Sequence, residues 1–364
     1  MSVTGSRLYF IDAMRAVLMM LGVVIHSANV FSSDQNWLIY ADNSWFLASY
    51  LSELIHIFRM PAFFVVSGYF CLFTLKRYGV SKFWKVRSER LLVPFFTVAI
   101  VINTGQSLLL DASGWRELEW ASYLMRGQYV SHLWFLINLM IYFTVIALFA
   151  KLFGRIFYGI GHRLEVACMR LPMVIILLLL PFASIAVLAT NHLGFPLYAE
   201  YYGVIKLYSL LKFLPFFLFG IVLALNKELL ARFAGIPLWL NFTALVLAAW
   251  LQSSAVRLAN ENVILTEYSH ALLTWVSVTT CFSLFRRFFN HNSKFWMTLS
   301  GASYSVYLFH HVLVIAFGLL LVKVNCIPWL GFMLLVILVP ICTLWLHDNL
   351  ITRLPMLSYL FNGK

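Results

Sequence analysis

Of 364 residues, 62% are apolar and 11% are charged, against about 45–50% and about 25% in soluble domains, which excludes an ordinary aqueous globule. Ten bilayer crossings of about 20–25 residues would leave only about 10–15 residues for each loop and tail. Residues 1–364 therefore read as one polytopic all-α membrane domain with no separate soluble domain, and the formal charge of +12 reflects topology, not nucleic-acid binding.

Apolar segments at 9–31, 45–75, 91–110, 133–150, 171–190, 204–225, 236–256, 266–285, 295–322 and 328–346 predict ten transmembrane helices. The first has a basic flank at Arg7, but Asp12, Arg15 and the lack of an A-x-A site argue against a cleaved signal peptide. The second is too long for one straight crossing, and Pro61 with Ser67-Gly68 predicts a kink or break inside it. Five scattered cysteines without CxxC or Cys/His spacing point to neither disulfides nor zinc, and no metal site is expected.

Lys and Arg resist translocation, so their distribution sets the orientation. One side collects Arg7, the run from Lys76 to Arg90, Lys151 to Arg170, Lys227, Arg232, Arg286, Arg287, Lys294, Arg353 and Lys364, whereas the other has only Arg116, Arg126, Arg257 and Lys323. Both termini are expected in the cytoplasm.

A charge inside a transmembrane helix costs about 2.5–3.5 kcal/mol on insertion scales and is by default a functional hypothesis. Arg15 and His26 lie 11 positions apart, about 20° from three full turns, so they share one helix face about 16–17 Å apart along the axis. They are expected to line one cavity wall. Asp12, one turn before Arg15, can pair with it, and helix geometry alone leaves open an interfacial ion pair and a core histidine. In the second helix His56 and Arg59 share a face, and the buried guanidinium needs an anion: Glu53 or a bound carboxylate.

Further words accompany these residues: IDAMRA at 11–16, LIHIFRM at 54–60, FFVVSGYF at 63–70, WKVRSER at 84–90 with Arg87 and Arg90 as an RxxR element, SHLWFL at 131–136, and SYSVYLFH at 303–310 within a run ending at His311. Together with the Arg-x10-His motif of the first helix, this set resembles the acyltransferase-3 family of membrane O-acyltransferases over about residues 8–346. Within that family the wording is similar to members that succinylate periplasmic glucans.

The resemblance implies a multi-pass protein of the bacterial inner membrane. It implies transfer of an acyl group from a cytoplasmic coenzyme A thioester, with succinyl-CoA as the sharpest expectation, to hydroxyls of a periplasmic glucan, with no permanently bound cofactor. An acetyl-CoA-dependent O-acetyltransferase of lipopolysaccharide or another surface polysaccharide is the nearer alternative. A proton-coupled transporter would also use intramembrane Asp, Arg and His, although no internal repeat supports it, and a structural scaffold would tolerate loss of Arg15 or His26.

A sugar hydroxyl needs a base within hydrogen-bond reach, and histidine, with a reference pKa of about 6.5, suits that role. His26 is the candidate base, and an acyl-histidine intermediate stays open. Arg15 is a candidate for the donor's phosphates or pantetheine carbonyls, Arg87 and Arg90 for the phosphates. His132, at the outer start of the fourth helix, suits the acceptor hydroxyl. His310 shares a face with Ser303 and Tyr307, which are further candidates for holding the donor, and its neighbour His311, about 100° away, is expected to point elsewhere. Arg59 with His56 is the expected receptor for the succinyl carboxylate, with Lys212 as the fallback. His162, His192, His291 and His347 read as loop or interface residues. Outer-loop aromatics such as Trp37, Trp115 and Tyr202 fit either sugar stacking or a membrane belt.

Overall fold

A computed structural model describes residues 8–257 and 263–364; Arg7 lies outside the described residues, as does the side chain of His192. In hydrocarbon every backbone N–H and C=O must be satisfied within its own segment, which makes each long apolar run a helix. The helices are α1 Tyr9–Val30, α2 Phe46–Thr97, α3 Thr104–Ala112, α4 Trp120–Met125, α5 Trp134–Leu152, α6 Gly154–Arg170 and α7 Met173–His192. They continue as α8 Leu207–Leu223, α9 Lys227–Ala234, α10 Leu238–Arg257, α11 Val263–Phe289, α12 Lys294–Lys323, α13 Pro328–Leu346 and α14 Pro355–Asn362. Between α7 and α8 a short hairpin pairs β1 (Glu200–Tyr201) with β2 (Ile205–Lys206), an element that the apolar pattern does not announce.

Each of the ten apolar segments is helical over most of its length, although 204–225 begins in the hairpin and turns helical only at Leu207. Among the described residues seven helical stretches are each long and apolar enough to cross a bilayer, with an eighth if α8 and α9, bent by 120°, count as one span. The chain is an all-α multi-pass membrane protein.

The expected break at Pro61 or Ser67-Gly68 is not there. The backbone of α2 stays helical through both, and its one non-helical residue is Gly79 (φ 73°, ψ 169°), a conformation that costs glycine nothing sterically. The chain doubles back at Gly79: Arg87 Nη2 donates to Thr74 Oγ1 at 2.8 Å, whereas 13 residues of straight helix would span about 20 Å. The basic run from Lys76 to Arg90 thus lies around a hairpin of two long arms, the second continuing through a π-helical segment, Val98–Asn103, into α3.

Gly68 has another use. A Cβ on it would strike the Phe217 carbonyl and come within 3.2 Å of Gly220 Cα, and one on Gly220 would strike the Val65 carbonyl and lie 2.9 Å from Tyr69 N. The pair lets α2 and α8 touch backbone to backbone, the small-residue contact by which helices associate in lipid. Gly220→Ala should therefore destabilise the protein by about 1–3 kcal/mol through overpacking, read as a lower melting temperature of the detergent-solubilised chain.

Helix α1 is the hub. It packs against α2, α11, α12 and α13, and Ile11, Ala13, Met14, Ala16, Leu18, Ile25 and Ala28 are fully buried.

Candidate active site

A cavity of about 830 Å³ opens beside α1, walled by α2, α5, α7, α8, α11 and α12. In its wall four histidines meet. His26 comes from α1, His310 and His311 from α12, and His132 from the 3₁₀ turn Gln128–Leu133 that leads into α5. The His26 ring lies 5.3 Å from His310 and 4.9 Å from His311; His132 lies 5.5 Å from His310 and stacks on His311 at 4.7 Å. Trp37, from the loop after α1, stacks on His26 at 5.4 Å.

The expectation that only His310 of the adjacent pair faces this cavity is corrected. Both rings line it, because His26 and His132 sit in the wedge between two side chains that diverge by about 100° at the backbone. His347 is corrected as well: it is buried in a π-helical segment, His347–Ile351, with Nδ1 2.8 Å from Ser305 Oγ.

Hydrogen bonding assigns the His310 tautomer. A backbone carbonyl oxygen only accepts, so His310 Nδ1, 2.8 Å from the Tyr307 carbonyl, carries a proton, and His311 Nδ1 lies 2.7 Å from the Gln106 side-chain amide. In the neutral His310 ring the lone pair then sits on Nε2. Among the described residues His310 Nε2, His26 Nδ1 and both ring nitrogens of His132 are buried without a hydrogen-bond partner. Native interiors rarely leave such groups unmatched, so this cluster is shaped to meet a polar guest. Tyr307 orients it by donating to the His132 carbonyl at 2.8 Å.

Arg59 enters from α2. It is 7% exposed, donates from Nε to the Leu18 carbonyl at 2.9 Å, and lines the cavity. Gly22 makes the room: a Cβ there would collide with the guanidinium and lie 3.4 Å from His310 Nε2. Residues 15, 18, 22 and 26 follow one face of α1, and Arg59 crosses that face at 18–22. The expected common wall of Arg15 and His26 is thereby corrected. Arg15 is not among the cavity residues; it pairs with Asp12 at 3.9 Å and sits 5.7 Å over the Phe70 ring.

No ion pair joins Glu53 to Arg59 among the described residues, although both line the cavity with His56 and Lys212. Glu267 and His270 of α11 line it too; the sequence singles out neither, because their helix carries no recognisable motif.

The expected donor residues separate. Arg87 is half-buried, bonded to Thr74 and the Phe70 carbonyl, and lies 5.1 Å over the Phe143 ring. Arg90 is exposed, and its carbonyl accepts from Tyr304 at 3.0 Å. Burial, with the Arg90 and Arg15 charges close by, pushes the Lys364 ammonium below its ordinary range, which places three cations together on that face. Ser303 is buried and donates to the Ser300 carbonyl at 2.8 Å, away from the cavity, whereas Tyr307 sits with the histidines. A separate cavity of about 530 Å³ on the basic side is lined by Asp12, Arg77, Lys227 and Arg286 among others.

Residues 8–348 match the family described as the acyltransferase domain. Glucans biosynthesis protein C of Salmonella paratyphi B is 30% identical over 374 aligned positions, covering 100% of this chain and 96% of that protein. The proteins of the same name from Salmonella dublin and Salmonella enteritidis match to the same extent. No solved structure matches the chain. The family match spans nearly the whole chain and takes in the Arg15-x10-His26 helix, the hairpin arms and the α12 histidines; the protein belongs to the acyltransferase-3 family and is a multi-pass membrane acyltransferase.

Proposed function

We propose that the protein moves a succinyl group from cytoplasmic succinyl-CoA to hydroxyls of periplasmic glucans, within one polytopic domain of ten crossings in the bacterial inner membrane, both termini cytoplasmic. The relatives' shared name supports the glucan acceptor. The observation that carries the reading is the group of buried imidazole nitrogens without partners beside the Arg59 guanidinium.

In this reading His26 takes the proton of the acceptor hydroxyl as its oxygen attacks the thioester carbonyl. The C–S bond then breaks, and the CoA thiolate leaves and recovers a proton. His310, with Nδ1 anchored and Nε2 open, is placed to hold a hydroxyl or relay that proton, and His132 closes the acceptor side. Arg59, assisted by His56 and Lys212, receives the free succinyl carboxylate, a charge too costly to bury without a cation. The nucleotide end of the donor docks on the basic side, where Arg90, Arg15 and the cavity bearing Arg77, Lys227 and Arg286 present cations.

The two RxxR arginines divide their work. Arg90→Ala should raise the apparent Michaelis constant for succinyl-CoA about fivefold to tenfold with little change in turnover, whereas Arg87→Ala should chiefly lower the melting temperature, because Thr74, the Phe70 carbonyl and the Phe143 face all lose their partner. Initial rates against donor concentration, with a thermal melt of each variant, separate the two effects.

The reaction is tested in proteoliposomes by supplying labelled succinyl-CoA on one side and a neutral gluco-oligosaccharide on the other. The reading expects label on the oligosaccharide only when protein is present. Label transferred from acetyl-CoA but not from succinyl-CoA would overturn it in favour of an acetyltransferase.

A further inference from the structure

A second cavity of about 470 Å³ adjoins the first, sharing Leu38, Ser131 and Trp134 with it. Its walls are the loop after α3, the turn before α5 and the β1–β2 hairpin. Gln106 ties the two chambers together: it is 3% exposed, lines the second cavity, and holds His311 of the first at 2.7 Å.

The frame of this cavity is built rather than loose. Gly127 (φ 60°) and Gly203 (φ 66°) touch backbone to backbone, since a Cβ on Gly127 would lie 2.6 Å from the Tyr202 carbonyl oxygen and one on Gly203 would strike the Arg126 carbonyl. Leu118 N donates to Asp111 Oδ1 at 2.9 Å and fixes the loop that carries Arg116.

The charge on the rim is unusual for its place. On the topology of the proposed reaction this is the outer face, where cations are depleted. Arg116, Arg126, Arg257 and Lys323 are the basic residues assigned there by loop position, and two of the four converge on this cavity. Lys206 joins them but is paired with Glu200 at 3.0 Å, and Glu117 is the acidic residue on the same rim. Trp134 supplies an aromatic wall on which a sugar ring can stack.

We propose that this cavity is a second binding site that receives an acidic substituent, a carboxylate or a phosphate, on the acceptor oligosaccharide, so that chains already bearing negative charge are held next to the histidine cluster. The inference rests on the proposed reaction for its topology and acceptor. Its chemical consequence is that the product of one succinyl transfer binds better than the starting chain, and modification runs to several groups per glucan.

The test is equilibrium binding to the full-length protein in detergent, with three labelled gluco-oligosaccharides of equal length: neutral, carrying one succinyl half-ester, and carrying one phosphate monoester. The wild type should bind the acidic oligosaccharides about fivefold more tightly than the neutral one. Arg116→Gln combined with Arg126→Gln should bring them to parity, Glu117→Gln should widen the preference, and high salt should abolish it, as expected for exposed charges. A preference confined to one acidic probe identifies the substituent. Equal affinities in the wild type, or a preference that survives the double substitution, would overturn the proposal. Binding is read without donor, so failure of succinyl transfer with charge-selective binding intact would count against the reaction and not against this site.

Discussion

His26→Ala is expected to reduce acyl transfer by about 10²–10⁴-fold, the contribution of a positioned general base, while the protein still inserts and elutes as a folded species. The side chain borders a cavity and makes ring contacts with Trp37, His310 and His311 but no hydrogen bond through Nδ1. Its removal enlarges an existing space without stranding a buried partner, so the fold loses little. His26→Gln keeps hydrogen bonding but not basicity near neutral pH and should be equally inactive. Transfer rates in purified variants check this, and more than a few per cent of wild-type rate in His26→Ala would remove His26 from the proton transfer.

Arg59→Leu is expected to separate the two thioesters. Leaving a buried carboxylate without its cation costs about 3–5 kcal/mol, or about 10²- to 4 × 10³-fold in rate at 1.4 kcal/mol per decade, and only the succinyl group carries that carboxylate. Acetyl transfer should fall far less. Arg59→Lys keeps the charge but loses the planar fork and the Nε bond to the Leu18 carbonyl, and should lie between. The competing explanation, a structural pair with Glu53, predicts rescue of Arg59→Leu by Glu53→Gln; the described residues contain no such ion pair, so no rescue is expected. Equal loss with both donors would end the carboxylate-receptor role of Arg59.

The residues that carry motif signals were legible because each stands out against an apolar background: an arginine or histidine inside a membrane helix is visible without any partner in view. What it touches is not. The face shared by Arg15 and His26 is real, but Arg59 reaches that face from another helix at Gly22, and periodicity along α1 contains no information about α2. The angle between neighbouring side chains points His311 away from His310, whereas the width of the cavity decides whether both rings reach it. Gly68 looked like a hinge because glycine serves both turns and close contacts, and only the opposing Gly220 distinguishes them. The reversal came instead at Gly79, among polar residues where lipid places no demand on the backbone. Nothing in their own helix marks Glu267 and His270; the cavity does.

The most direct test of the central claim is mass spectrometry of periplasmic oligosaccharides from bacterial cells that express the wild-type protein, His26→Ala, or neither. The account predicts glucans heavier by whole succinyl units only with the wild-type protein, and unmodified glucans in the other two. Glucans identical in all three, or a gain of acetyl in place of succinyl units, would contradict it.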